Sequence, residues 1–293
     1  MIVVDFNQCS IANFMGSGSK EVDLPLLRHM IINTIRSYKV KFSAEFGNDL
    51  VIACDNRKYW RREVFPQYKA HRKKARDDSP LDWNAFFAAL HTIRQELHDY
   101  FPYPVIDVDG AEADDVIGAL AEYSQTAGEV DDLFGEPQPL PFLIVSGDHD
   151  FNQLQKWSNV KQYSPAFKKW IKITEPAEQV LMTHIISGDK GDGIPNMLSP
   201  DDSFVSGKRQ RSIKKTSLDI WKKSSPEVFV INSEIAHGFN RNQLLVDLSK
   251  IPGEIKNAII YSYSSQQNGD RSMLLNYFIT HKMKNLIDVL TDF

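Results

Sequence analysis

Along the first half of the chain, short apolar runs alternate with longer segments whose apolar positions recur every three or four residues. Residues 2–6 and 50–54 have strand length, and each meets an aspartate at its end, Asp5 in the first and Asp55 after the second. Between them Leu24, Leu27, Met30, Ile31, Ile35, Tyr38 and Phe42 keep helical spacing, which predicts a helix joining two strands. A second helical pattern follows Pro80, with Trp83, Phe86, Phe87, Leu90, Ile93, Leu97 and Tyr100. Residues 104–108 predict a third strand, 111–126 a helix and 142–146 a fourth strand. The acidic, Pro/Gly-rich stretch 128–141 between the last two predicts an exposed loop.

Strands alternating with helices predict an α/β fold, a mostly parallel sheet flanked by helices. Beyond about residue 180 the strand-like runs give way to helical patterns at 183–187, 213–223, 243–248 and 273–290, interrupted by Pro195, Pro200, Pro226 and Pro252. The expected organisation is therefore an α/β core over 1–180 and a smaller helical domain over 181–293. No internal repeat is visible.

Composition alters this picture little. Hydrophobic content of 42% with 15 Gly and 14 Pro excludes a disordered or collagen-like chain. Cys9 and Cys54 stand far apart without a CxxC or Cys/His partner, against a disulfide framework or structural zinc site and in favour of a reducing, cytoplasmic setting. The first ten residues have no basic region and Asp5 interrupts their apolar run, so no signal peptide is expected. No run of 18 uncharged apolar residues predicts a membrane span.

Charge changes more. The net charge is −4, yet residues 57–76 carry nine cations (Arg57, Lys58, Arg61, Arg62, Lys69, Arg72, Lys73, Lys74, Arg76) against Glu63 alone. Tyr59, Trp60, Phe65 and Tyr68 lie among them. A second basic run, 208–223, holds Lys208, Arg209, Arg211, Lys214, Lys215, Lys222 and Lys223 against Asp219. One such run is ordinarily a solvated face. Two in an acidic protein, one of them rich in aromatics, point to phosphate neutralisation with platforms for unstacked bases.

Acids gather elsewhere in the chain. Asp5 and Asp55 end the first two strands. Glu112, Asp114 and Asp115 open the helix after the third, and Asp148 and Asp150 follow the fourth in SGDHDF. Asp189 and Asp192 lie in GDKGDG. In a parallel sheet the C-terminal strand ends share one rim where ligands bind. Singly, each acid has a bland role in a turn or at a helix N-terminus. Together they would repel one another unless a cation held them, and all-oxygen ligation suits Mg²⁺ or Mn²⁺. More carboxylates than one octahedral ion uses suggest two ions clamping a phosphodiester. No histidine pair has metal-ligand spacing, and His149 reads as a neighbour of Asp148 and Asp150 rather than a ligand. Residues 16–20 (GSGSK) lack the ending of a phosphate loop and read as a turn.

The ordered set IVVDFNQ (2–8), ACDNRKYWRR (53–62), YKAHRKKAR (68–76), EADD (112–115), SGDHDFNQL (146–154) and GDKGDGIP (188–195) resembles the structure-specific 5′-nuclease (flap endonuclease) superfamily. Within it, the likeness is to the branch of T-even bacteriophage ribonuclease H enzymes. WSNVKQYSPAFKKWIKI (157–173) and RNQLLVDLSKIP (241–252) extend it over nearly the whole chain. The resemblance implies a PIN-like 5′-nuclease core, a helical domain with a modified helix–three-turn–helix element, and 5′→3′ exonuclease and flap endonuclease activity removing RNA primers in phage lagging-strand replication.

By the same resemblance Asp5, Asp55, Glu112, Asp114 and Asp148 match ligands of a first metal cluster. Asp150 and Asp192, with Asp189 near, match the second, and Asp115 an accessory acid. Lys69 matches a lysine over the scissile phosphate, and Arg72 and Arg76 follow it on an arch (57–80) that takes 5′ flaps. Tyr68 there either stacks on a base or packs structurally. After GDGIP the chain departs from the family pattern. Residues 196–217 (NMLSPDDSFVSGKRQRSIKKTS) hold a lone Gly207 where a glycine-rich, K⁺-binding hairpin is usual, so K⁺ ligation does not carry over with the resemblance. Single-stranded-DNA-binding protein and a sliding clamp are implied partners of a monomeric enzyme in the host cytoplasm. Two alternatives stay open: a non-catalytic nucleic-acid-binding protein with structural acids, and a PIN-like ribonuclease cutting single-stranded RNA.

Overall fold

The computed structural model describes residues 1–293 except Lys20, 129–134, Glu136 and 267–270, together with the side chains of Lys74 and Ala75. Half of the expected loop 128–141 thus lies outside the described residues. Six strands form one sheet in the order β3-β2-β1-β4-β5-β6: β1 Ile2–Asp5, β2 Leu50–Ala53, β3 Val105–Ile106, β4 Phe142–Val145, β5 Val160–Ser164 and β6 Lys169–Ile171. The first five are parallel and β6 returns antiparallel to β5.

Side chains alternate between the two faces of the sheet, and both faces are covered, so the inner strands are apolar throughout. Ile2, Val4, Leu50, Ile52, Leu143 and Val145 face the helices Leu24–Phe46 and Trp83–Tyr100. Val3, Val51, Ala53, Ile106, Phe142 and Ile144 face helix Ala113–Tyr123. The chain's last helices complete both layers. Leu274, Tyr277, Phe278 and Phe293 join the first, while Ile251, Ile255, Ile259 and Tyr263 join the second. Residues 185–239 build a smaller apolar cluster from Ile185, Ile186, Met197, Phe229 and Phe239. Residue 180, the expected boundary, lies within helix Ala177–Ser187.

Three features were not foreseen. Helix Phe6–Gly16 starts directly at the end of β1, with the Asp5 carboxylate accepting from the Gln8 amide at 3.0 Å. β5 and β6 escaped notice because polar residues interrupt both (VKQYS, KWI). Helix Gly253–Ser265 begins immediately after Pro252, the residue expected to interrupt helical structure there. Among the described residues no helix is long and apolar enough to cross a membrane.

Candidate active site

Register levels the rim. Asp5 pairs with Ala53, and Val4 with Val145, so the chain leaves β1, β2 and β4 at one height. The acids beyond are pinned by backbone amides. Asp55 accepts from the Ala113 amide at 2.8 Å and from the Asn7 side chain at 2.6 Å. Asp148 accepts from the Asp150 amide at 3.1 Å, and Asp189 from the Asp192 amide at 3.0 Å. The turn carrying Asp189 and Asp192 is closed by Asp189 and Ile194 exchanging backbone hydrogen bonds at 2.9 and 2.7 Å. Glycine is required on both sides of it. Gly188 and Gly193 have φ of +67° and +73°, and a Cβ on Gly188 would meet the Ile194 and Pro195 carbonyl oxygens at 2.4 Å.

Electrostatics show how closely the acids gather. Burial, with Asp55 and Asp148 nearby, pushes the Asp5 carboxyl up to about 7. Burial and Asp148 hold Asp114 well above the carboxylate range, and Asp150 is pushed up to about 7 by burial and Asp148 against the pull of His184. Asp150 Oδ1 is buried and accepts no hydrogen bond from the described residues. Asp5, Asp114 and Asp150, whose carboxyls are raised by burial and by neighbouring acids, with an Asp150 oxygen left without a donor among the described residues, match the needs of a hard divalent cation.

Three of the nine expected acids are held differently. Asp115 is fully buried, accepts from Trp60 Nε1 at 3.3 Å and the Glu112 amide at 2.9 Å, and pairs with Arg61 at 2.8 Å. It serves the helix start and the core, which corrects its expected place among the metal acids. Glu112 takes Arg61 at 3.1 Å, Lys69 at 2.6 Å and the Tyr68 hydroxyl at 3.1 Å. Asp192 takes the Tyr68 hydroxyl at 2.6 Å, Lys69 at 3.5 Å and the Arg72 guanidinium. Glu112 and Asp192 thus face the basic segment, and Asp5, Asp55, Asp114, Asp148, Asp150 and Asp189 form the remaining group.

The basic segment divides as well. Arg61, expected on nucleic acid, is buried: it donates to the Leu245 carbonyl at 2.8 Å and is clamped by Glu112 and Asp115. Tyr68 is 1% exposed, so of its two expected roles the packing one holds and base stacking is sterically closed. Trp60 and Phe65 are buried too. Their apolar bulk favours the core wherever the short helix Trp60–Val64 turns inward. What remains lines a cleft of about 1040 Å³: Arg57, Arg62, Lys69, Arg72, Lys73 and Arg76, with Tyr59 and Phe87, above Asp55 and Glu112. Arg62 lies 4.8 Å from the Tyr59 ring and Arg76 5.0 Å from the Phe87 ring. Lys69, at φ +55°, sits in a backbone region that costs a non-glycine residue about 1–3 kcal/mol and is typical of functional positions. Lys58 is exposed beside this wall. The side chain of Lys74 lies outside those described.

The second run faces solvent except at Lys222, which pairs with Glu175 at 2.6 Å. Lys208, Arg209, Arg211, Lys214 and Lys215 are all exposed, Lys208 pairing with Asp202 and Arg211 with Glu234, each at 2.8 Å.

Sequence reasoning missed Asn7, Arg94 and His184, while His149 lies beside Asp148 and Asp150 as expected. Asn7 follows Asp5 by two residues and holds Asp55. Arg94 lines the cleft, pairs with Asp107 at 2.8 Å and donates to the Asp55 carbonyl. It stands four residues after Leu90 and seven after Phe87, a spacing that marks the same helix face. His149 and His184 lie 35 residues apart yet their rings are 4.7 Å apart, and they draw Asp189 well below the usual carboxylate range against its burial. His149 in turn is pushed up to about 11 by its hydrogen bonds to Asp148 and Asp189.

Comparison with known proteins agrees with this arrangement. Residues 26–184 match the model described as "5′-3′ exonuclease, N-terminal resolvase-like domain". The chain belongs to the 5′-3′ exonuclease family. Residues 175–293 match the model "T4 RNase H, C terminal". The ribonuclease H of Enterobacteria phage T4 is 32% identical over 301 residues, covering 99% of this chain and 95% of that protein. The exonuclease of Escherichia phage T7 is 30% identical over 155 residues, 51% of this chain and 45% of that one. Among solved structures, the bacteriophage T5 flap endonuclease in a pseudo-enzyme–product complex with DNA and metal ions shares the fold. Its TM-score is 0.65 at 17% identity, over 90% of this chain and 98% of that one. This family member accordingly has the mostly parallel nuclease sheet with a helical C-terminal part.

Proposed function

We propose that this family member is a Mg²⁺-dependent 5′→3′ exonuclease and flap endonuclease acting on RNA–DNA and DNA duplexes with 5′ ends or flaps, and that it removes RNA primers during phage replication. The observation that carries the reading is the juxtaposition of a partly buried carboxylate group, its members crowding one another, with a cleft walled by cations and aromatic rings. Asp5, Asp55, Asp114 and Asp148 are the proposed holders of one divalent ion, Asp150 and Asp189 of a second, with Glu112 and Asp192 available when Lys69 and Arg72 turn to substrate. Such ions would activate water and neutralise the scissile phosphate.

The rest falls to the chain's own residues. Lys69 and Arg72 lie against the acids through short ion pairs, so a phosphate entering the cleft meets two cations already ordered at the rim. Arg57, Arg62, Lys73 and Arg76 would hold the neighbouring phosphates, and Tyr59 offers a ring face to an unstacked base. Lys69→Ala is expected to slow single-turnover cleavage about 10²-fold, the scale of removing one preorganised donor. Lys214 and Lys215, exposed on one flank, would grip duplex backbone. Reversing both charges should flatten the slope of log K against log salt by about 2, near one unit per phosphate contact. A salt slope equal to that of the unaltered protein would remove them from the interface.

Parallel cleavage of an RNA–DNA hybrid, a flapped DNA duplex and free RNA tests the reading. Products from the first two support it. Cleavage of free RNA alone would favour a PIN-like ribonuclease, and binding without cleavage a non-catalytic protein.

A further inference from the structure

The two histidines change the chemistry of one end of the rim. His149 follows Asp148 at the end of β4, and His184 stands on helix Ala177–Ser187. With Asp150 and Asp189 they offer four donor atoms that all lie within 4.8 Å of one another. His149 Nε2 is 3.2 Å from Asp189 Oδ2 and 3.6 Å from Asp150 Oδ1. His184 places Nε2 3.1 Å from Asp189 Oδ2 and Nδ1 3.4 Å from Asp150 Oδ1. Asp150 Oδ1 is buried, and neither imidazole nitrogen near it makes a hydrogen bond to it. Two nitrogens thus converge on a carboxylate oxygen without bonding it, as ligands converge on a shared centre.

This set differs in kind from the acids beside it. Asp5, Asp55, Asp114 and Asp148 supply oxygen alone, which suits Mg²⁺. Imidazole is a borderline donor that favours first-row transition ions, and Mg²⁺ takes it poorly. Burial matters as well: His184 keeps 10% of its side chain exposed and Asp189 9%, so one wall of the set is already desolvated and its geometry fixed by the helix and the glycine-bounded turn.

We propose that His149, Asp150, His184 and Asp189 form a mixed nitrogen–oxygen site that selects a transition-metal dication of the Co²⁺/Zn²⁺ class over Mg²⁺, so that the two ends of the rim hold chemically different ions. The assignment rests on the reading of the rim as a metal centre and adds the two histidines as its selectivity-determining residues. It differs from the sequence expectation, in which His149 is a neighbour of Asp148 and Asp150 rather than a ligand. Residues 35 apart reveal no ligand spacing until the fold brings them together.

The test is proton NMR of the full-length protein loaded with Co²⁺, with calorimetric titration of Co²⁺ and Mg²⁺. Two exchangeable, hyperfine-shifted N–H resonances are expected, one per coordinated imidazole. Both should vanish in the His149→Gln/His184→Gln double variant, with Co²⁺ affinity at this site falling about tenfold or more and Mg²⁺ affinity changing by less than about twofold. Should the double variant fail to fold, His149→Gln alone, at a side chain 64% exposed, should lose one of the two resonances. Co²⁺ binding without shifted N–H resonances, or with unchanged affinity in the folded variant, would overturn the histidine assignment and leave the carboxylate centre standing. Binding of neither ion would overturn both.

Discussion

Asp114→Asn should lower single-turnover cleavage of a flapped duplex by about 10³-fold while leaving substrate affinity in Ca²⁺ or EDTA within about threefold. Several kcal/mol of transition-state stabilisation by bound divalent ions corresponds to a loss on that scale at about 1.4 kcal/mol per decade. The same change should raise, not lower, the melting temperature in EDTA. Asp114 is held well above the carboxylate range by burial and by Asp148, so its ionised form is a cost to the metal-free fold, and the isosteric amide removes that cost. Gain of stability with loss of chemistry is the signature of an acid retained for function. A variant with near-native cleavage in Mg²⁺ would exclude Asp114 from the centre. A variant that loses activity and melts lower would make it a structural acid.

Arg61→Met should destabilise the protein by about 3–5 kcal/mol, the cost of leaving buried carboxylates without their counter-charge. Arg61 is 3% exposed at its side chain and meets Glu112 and Asp115 at 3.1 and 2.8 Å. Denaturant titration of Arg61→Met beside Arg62→Met separates the two roles found within one basic stretch. The first should lose stability. The second, exposed on the cleft wall, should keep it within about 0.5 kcal/mol and instead weaken nucleic-acid binding. Equal stability of the two variants would contradict the buried clamp.

These adjacent arginines show where sequence reading stops. Runs of Val, Ile and Leu buried on both faces made β1, β2 and β4 legible, and the acids at their ends followed from the geometry of a parallel sheet. The sign of the segment 57–76 was legible too. Which of its cations turn inward was not. Arg61 and Tyr68 sit among residues of similar character and are selected for burial by acids far along the chain, Arg61 by Glu112 and Asp115 and Tyr68 by Glu112 and Asp192. Asp115 looked like its neighbour Asp114, but one residue of helix rotation, about 100°, carries it from the rim into the core. β5 and β6 were hidden by polar residues such as Gln162, whose amide is satisfied by the Ser146 and Asp148 carbonyls at 3.1 and 2.6 Å. The histidine pair left no trace in spacing because its members come from different elements.

The central claim is that the carboxylate rim works by holding divalent metal against a phosphodiester in the basic cleft. The most direct measurement is the time course of product release from a 5′-labelled flapped duplex with Mg²⁺ and with EDTA, with binding followed in parallel. The account predicts short labelled products with Mg²⁺, none in EDTA, and a bound complex in both. Cleavage that persists in EDTA, or a bound substrate left intact in Mg²⁺, would contradict it.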